Sequence, residues 1–221
     1  MPDHAVVKVV VIALWLTTVY LHELAHALAA YWGGDREIRA RGGFSPIMIW
    51  FNNPMMGLVL PAIVLLFAGF AMPGAATRIN RSALRSRGVI SLVFLAGPAM
   101  TLVLACALAG VYHLAAPGIM QAAFAFAVFL TIMSFLLNLL PLPSLDGFGA
   151  IGAHLPPRVE HWAYRAAIPT VVFIALLLMA VPRAAGLVAD VCIGGTELLG
   201  VSGHDLKSGF TLFRVGLGRK G

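Results

Sequence analysis

The stretch Thr18-Val-Tyr-Leu-His-Glu-Leu-Ala-His-Ala-Leu-Ala-Ala30 places His22, Glu23 and His26 inside an otherwise apolar segment. On a helix positions four apart lie on one face, a turn from each other. Both imidazoles therefore reach toward one point while Glu23 sits beside them, the HExxH arrangement of zinc hydrolases. Such a short pattern arises by chance on the polar face of a soluble helix. Here there is no polar face: from Ala5 to Tyr31 the other ionisable side chains are Lys8 and two tyrosines. An acid in the centre of a bilayer costs about 2.5–3.5 kcal/mol on insertion scales, so Glu23 marks a functional site rather than a solvated surface.

Composition sets the class. The chain is 60% hydrophobic and only 11% charged, with a mean hydropathy of +0.92, against about 25% charged in soluble domains. It reads as one integral membrane domain over 1–221: an all-α, polytopic transmembrane helical bundle with a re-entrant segment and a short membrane-associated β-hairpin. The net charge of +6 comes largely from arginines between apolar runs, which indicates membrane orientation and no nucleic-acid partner. Cys106 and Cys192 lie far apart without CxxC spacing and read as packed thiols. The first apolar run reads as a retained span rather than a cleaved signal.

Working outward, the first helix is expected over about 6–32, closed by Gly33-Gly34. Two short extended stretches around Gly42-Gly43 would form the hairpin, with Pro46 leaving its second strand a free edge. Further apolar runs follow at 54–76, 89–115, 119–140 and 166–181. The catalytic core is expected within about 6–148. Segment 184–203 carries Asp190 and Glu197 and is expected to lie on the interface, ahead of a mobile basic tail from Lys207 to Lys220.

Catalytic zinc usually has three protein ligands and a water, so two histidines leave the site one short. Asp146, Glu160, His154, His161, His113 and Asp190 are the candidates. Asp146 is the strongest, because it follows an apolar helix end in a Pro-Leu-Pro-Ser-Leu-Asp-Gly turn that would fix a carboxylate at membrane depth.

Three separated signals, His22-Glu-Leu-Ala-His26, Ala96-Gly-Pro-Ala-Met-Thr101 and Asn138-Leu-Leu-Pro-Leu-Pro-Ser-Leu-Asp-Gly147, give the chain its resemblance to the site-two protease family of intramembrane zinc metalloproteases. The resemblance covers roughly 21–148 and is closest to short bacterial members without PDZ or CBS domains. It implies that His22, His26 and Asp146 hold one zinc ion, that Glu23 is the catalytic base, and that Asn138 lies near the site. Two departures stand out: Thr101 replaces the family's usual asparagine, and Phe148 its usual glycine. The first weakens the claim of that helix to substrate handling.

One metal shared by the ends of the first and fourth helices requires both ends at the same membrane face. Everything between Gly33 and Gly88 then starts and ends there, so the 54–76 run must dip in and return. That face would hold Arg36, Arg39, Arg41, Arg78, Arg81, Arg85, Arg87, Arg158 and Arg165, against Lys8 and Arg183 opposite. The positive-inside rule makes it cytoplasmic in a bacterial plasma membrane, with the N-terminus outside. The expected partner is the transmembrane helix of another protein, within the bilayer. A metal carrier would need more polar groups along the first and fourth helices, and a silent helix-binding adaptor would have no use for Glu23.

Overall fold

The computed structural model describes residues 2–47, 59–71 and 77–215. Among these residues the regular elements are all helical. Helix α1 spans Asp3–Gly33; at 1.5 Å per residue it is about 46 Å long, more than a bilayer's hydrocarbon thickness. It stops where the sequence indicates. Gly34 adopts φ 135°, its N–H bonds Ala30 O, and a Cβ there would stand 2.4 Å from Ala83 O, so only glycine fits.

Helix α2 is Leu60–Ala68, α3 Arg87–Leu114 and α4 Ile119–Asn138. The short α5, Asp146–Gly152, precedes α6, Pro157–Ala180, then α7, Pro182–Leu198, and α8, Gly203–Arg214. Helices α1, α3 and α4 are long and apolar enough to cross a membrane, and α6 with α7 would make a fourth span, bent by 97°. The three long helices pack pairwise. Their contacts are rich in small buried residues, including Ala27, Ala30, Ala105, Ala109, Ala123 and Ala127. In lipid no hydrophobic force drives helices together, so close backbone approach and dispersion must hold them.

Gly33 at the end of α1 abuts Val89 at the start of α3 and Leu84 just ahead of it. The chain between them therefore returns to the end of the bundle it left. Arg81 also pairs with Glu160, and Ser91 bonds Ala150 O at 2.6 Å, which brings the start of α6 to that same end.

Among the described residues the hairpin is not found. Residues 36–44 curl through a 3-10 turn, Arg36–Ile38, and further turns, with Arg41 N–H bonding Glu37 O at 3.0 Å and Gly43 N–H bonding Ile38 O at 2.9 Å. The cause is Asp35, whose buried carboxylate gathers the Arg41 guanidinium (2.5 Å) and the Asn80 N–H (2.8 Å). This hydrogen bond raises the Arg41 pKa above its ordinary value. The rest of the expected second strand, from residue 48, lies outside the described residues.

The re-entrant expectation for 54–76 finds no support either. Pro61 sits in the first turn of α2 and Gly69, at φ 73°, closes it. These two residues bound a nine-residue helix, whose Val64 packs with Val171 and Ala175 of α6. The remainder of that run is outside the described residues.

Arg158, Glu160, His161 and Arg165 belong to the first turns of α6. Two smaller expectations change. Residues 207–214, expected mobile, form most of α8, whose buried Leu206, Gly209 and Phe213 seat it on α4. Cys192 is packed as expected, but Cys106 is exposed on α3.

Candidate metal centre

His22, Glu23 and His26 are all buried on α1. One turn apart, the two imidazoles stand edge to face, with ring centroids 4.7 Å apart and Nε2 atoms 3.1 Å apart. Asp146 meets them from a distant part of the chain. Its Oδ2 lies 3.0 Å from His22 Nε2 and its Oδ1 3.2 Å from His26 Nε2. Among the described residues these three form the one group of such side chains close enough to share an ion.

The turn that delivers Asp146 is tightly built. Ser144 takes φ 79°, an uncommon conformation for a residue with a side chain. Leu145 is buried against Ile174 and Leu178 of α6. A Cβ on Gly147 would stand 2.2 Å from Leu139 O, so the turn can close only over a glycine. Gly149, two residues on, is also tightly packed, since a Cβ there would meet the Phe94 ring at 2.2 Å.

Helix α3 forms the floor of the site. At Gly97 an added Cβ would lie 2.2 Å from His26 Nε2 and 2.7 Å from His22 Nε2. His26 Nδ1 is 2.7 Å from Val93 O, and His22 Nδ1 is 2.8 Å from Thr101 Oγ1. Each ring is thus held by its Nδ1, leaving Nε2 for the shared point. Glu23, beside them, accepts a hydrogen bond on Oε2 from Thr77 N–H at 2.8 Å, while the Thr77 hydroxyl donates to Glu23 O at 3.3 Å.

This donor set fits zinc. Asp146 Oδ2 is buried and finds no hydrogen-bond donor among the described residues, although His22 Nε2 is within reach. That is how two acceptors meet. A shared proton bridges only two of three converging acceptors, whereas a cation taking two imidazole nitrogens and a carboxylate oxygen accommodates them all.

The other candidate ligands stand elsewhere. Glu160 pairs with Arg81, His154 Nε2 lies 3.0 Å from Ser91 Oγ, and His113 Nε2 lies 2.9 Å from Leu199 O. His161 and Asp190 are exposed. Asn138 is buried as the last residue of α4. Sequence reasoning missed Val93 and Thr77, cited Gly97 only within the Ala96–Thr101 signal, and read Thr101 only as a departure. The one available signal was Gly97 and Thr101 four apart in an apolar helix, a polar residue and a gap on a single face.

Comparison with known proteins agrees with this geometry. Over 214 residues, 96% of this chain and 82% of the relative, it is 34% identical to the "Putative zinc metalloprotease Rip2" of Mycobacterium tuberculosis (strain H37Rv). The chain belongs to the site-two protease family. The Mycolicibacterium smegmatis protein of the same name is 37% identical over 157 residues, 70% of this chain and 60% of that protein. The "Putative zinc metalloprotease YwhC" of Bacillus subtilis is 37% identical over 154 residues, 63% of this chain and 66% of that protein. No family profile and no solved structure matches the chain.

Proposed function

We propose that this member of the family is an intramembrane zinc endopeptidase that hydrolyses a peptide bond in or near a transmembrane helix of a membrane-protein substrate. The observation that carries the reading is the convergence of His22, His26 and Asp146, drawn from two segments far apart in sequence, on one buried point beside Glu23.

In this reading His22, His26 and Asp146 hold one ion. When bound, zinc supplies a Lewis acid for the peptide carbonyl and lowers the pKa of water at the site. Glu23 takes the proton of the attacking water and passes it to the departing amine. Thr77 N–H holds the Glu23 carboxylate in place until then. Asn138 donates a hydrogen bond to the developing oxyanion or to the substrate backbone. A substrate helix hides its amides in internal hydrogen bonds, so it must unwind locally first, and glycine, proline or polar residues near the cut ease that step.

The site faces the cytoplasmic side of a bacterial plasma membrane and the N-terminus lies outside. The arginine-rich connections support this orientation, since Arg81 and Glu160 meet at the end of the bundle where α1 finishes.

The test is Glu23→Gln in purified protein with a reporter transmembrane-helix substrate. The variant should keep its zinc and lose cleavage by at least about 100-fold, the scale of a lost general base. Cleavage at the wild-type rate contradicts the proposal; loss of zinc moves Glu23 into the ligand set.

A further inference from the structure

We infer that Thr101 is a positioning residue for the metal centre: its hydroxyl fixes the proton of His22 on Nδ1 and so keeps Nε2 bare for the ion. The inference rests on the metal-site reading above and adds a residue to it.

The direction of each hydrogen bond follows from what the acceptors are. Thr101 Oγ1 lies 3.0 Å from Gly97 O, and a carbonyl can only accept, so the hydroxyl proton is committed there. The oxygen that remains presents lone pairs to His22 Nδ1, 2.8 Å away, and the imidazole must donate. In the neutral ring that leaves Nε2 without a proton, pointing at Asp146 and His26. The chain of donation runs from His22 Nδ1–H to Thr101 Oγ1–H to Gly97 O, entirely within the protein, with Thr101 fully buried.

The two histidines differ in how this is secured. His26 donates to Val93 O, a backbone carbonyl that no substitution removes. His22 depends on a side chain. Asparagine at this position would present an amide able to donate as well as accept. Threonine, with its proton spent on its own helix, offers His22 an acceptor only. Thr101 thus serves the metal site even though it departs from the family's usual residue.

The test is zinc affinity measured by chelator competition in purified full-length protein, for wild type, Thr101→Val, Thr101→Ala and Thr101→Ser. Valine keeps the shape and removes the hydroxyl; alanine removes it without bulk, should valine disturb packing. Both should bind zinc about 10–100-fold more weakly, the usual cost of losing a hydrogen-bond partner behind a metal-binding histidine, and serine should restore binding to within a few-fold of wild type. In metal-free protein, ¹⁵N-histidine spectra above the imidazole titration should show His22 protonated on Nδ1 in wild type and mixed in the valine variant. Wild-type zinc affinity in folded T101V or T101A, or serine no better than valine, overturns the inference. The underlying site reading fails separately, if wild type binds no zinc or His26→Ala binds it as tightly.

Discussion

At Gly97 the backbone of α3 passes directly beneath the two imidazoles, and the missing side chain is what leaves room for them. A Cβ there would stand within 2.7 Å of both Nε2 atoms. Alanine is the better helix former by about 1 kcal/mol, so on propensity alone Gly97→Ala should firm the helix. The site predicts the opposite functional outcome: G97A should fold, keep its helical circular dichroism, and lose stoichiometric zinc. Zinc at wild-type stoichiometry in that variant would show that the Nε2 atoms do not meet over Gly97. The sequence made His22, Glu23, His26 and Asp146 legible because each is ionisable where lipid penalises charge. Val93 acts through a backbone carbonyl, which leaves no trace in residue type, and Gly97 acts through an absence, legible only as a glycine inside an apolar helix. Thr101 was visible but was read against a family pattern instead of against its own helix, where a hydroxyl four residues after a carbonyl has an acceptor at hand.

Elements differ in how far pattern alone determines them. The three long apolar helices were legible because about 20 apolar residues in lipid have one regular solution, in which every backbone group bonds within the segment. The connection between α1 and α3 was not, because its shape is set by a side chain. Asp35, 1% exposed, ties the turn after α1 to Arg41 and to Asn80 ahead of α3. Glycines at 42 and 43 suit a hairpin equally well, and only the tertiary ion pair decides between the two. Asp35→Ala leaves the Asn80 N–H without its partner and the Arg41 guanidinium with only its longer bonds to Glu37 and to Arg78 O. It should lower stability by about 1–3 kcal/mol, read as an earlier thermal transition in detergent, without changing zinc content. An unchanged transition would remove Asp35 from its organising role. At α2 the proline in the first turn and the glycine at the C-cap are ordinary helix boundaries, which residue type alone does not distinguish from breaks inside a longer run.

Across the whole molecule, the contacts of Gly33 with Val89 and of Arg81 with Glu160 place the end of α1, the start of α3 and the start of α6 together. In the proposed topology Ser82 and Arg158, both near that end, then share a membrane face. Reporter fusions at Ser82 and at Arg158 should both read cytoplasmic; an external reading at Ser82 would contradict the proposed orientation, and opposite readings at the two points would contradict the packing itself. The central claim is narrower than orientation. It is that α1 and the turn after α4 grip one ion between them. Zinc content and X-ray absorption of purified wild type, His26→Ala and Asp146→Ala test it most directly. The account predicts one zinc per chain, bound through two imidazole nitrogens and a carboxylate oxygen, and lost in both variants. Zinc retained at full occupancy and unchanged coordination in Asp146→Ala would contradict it.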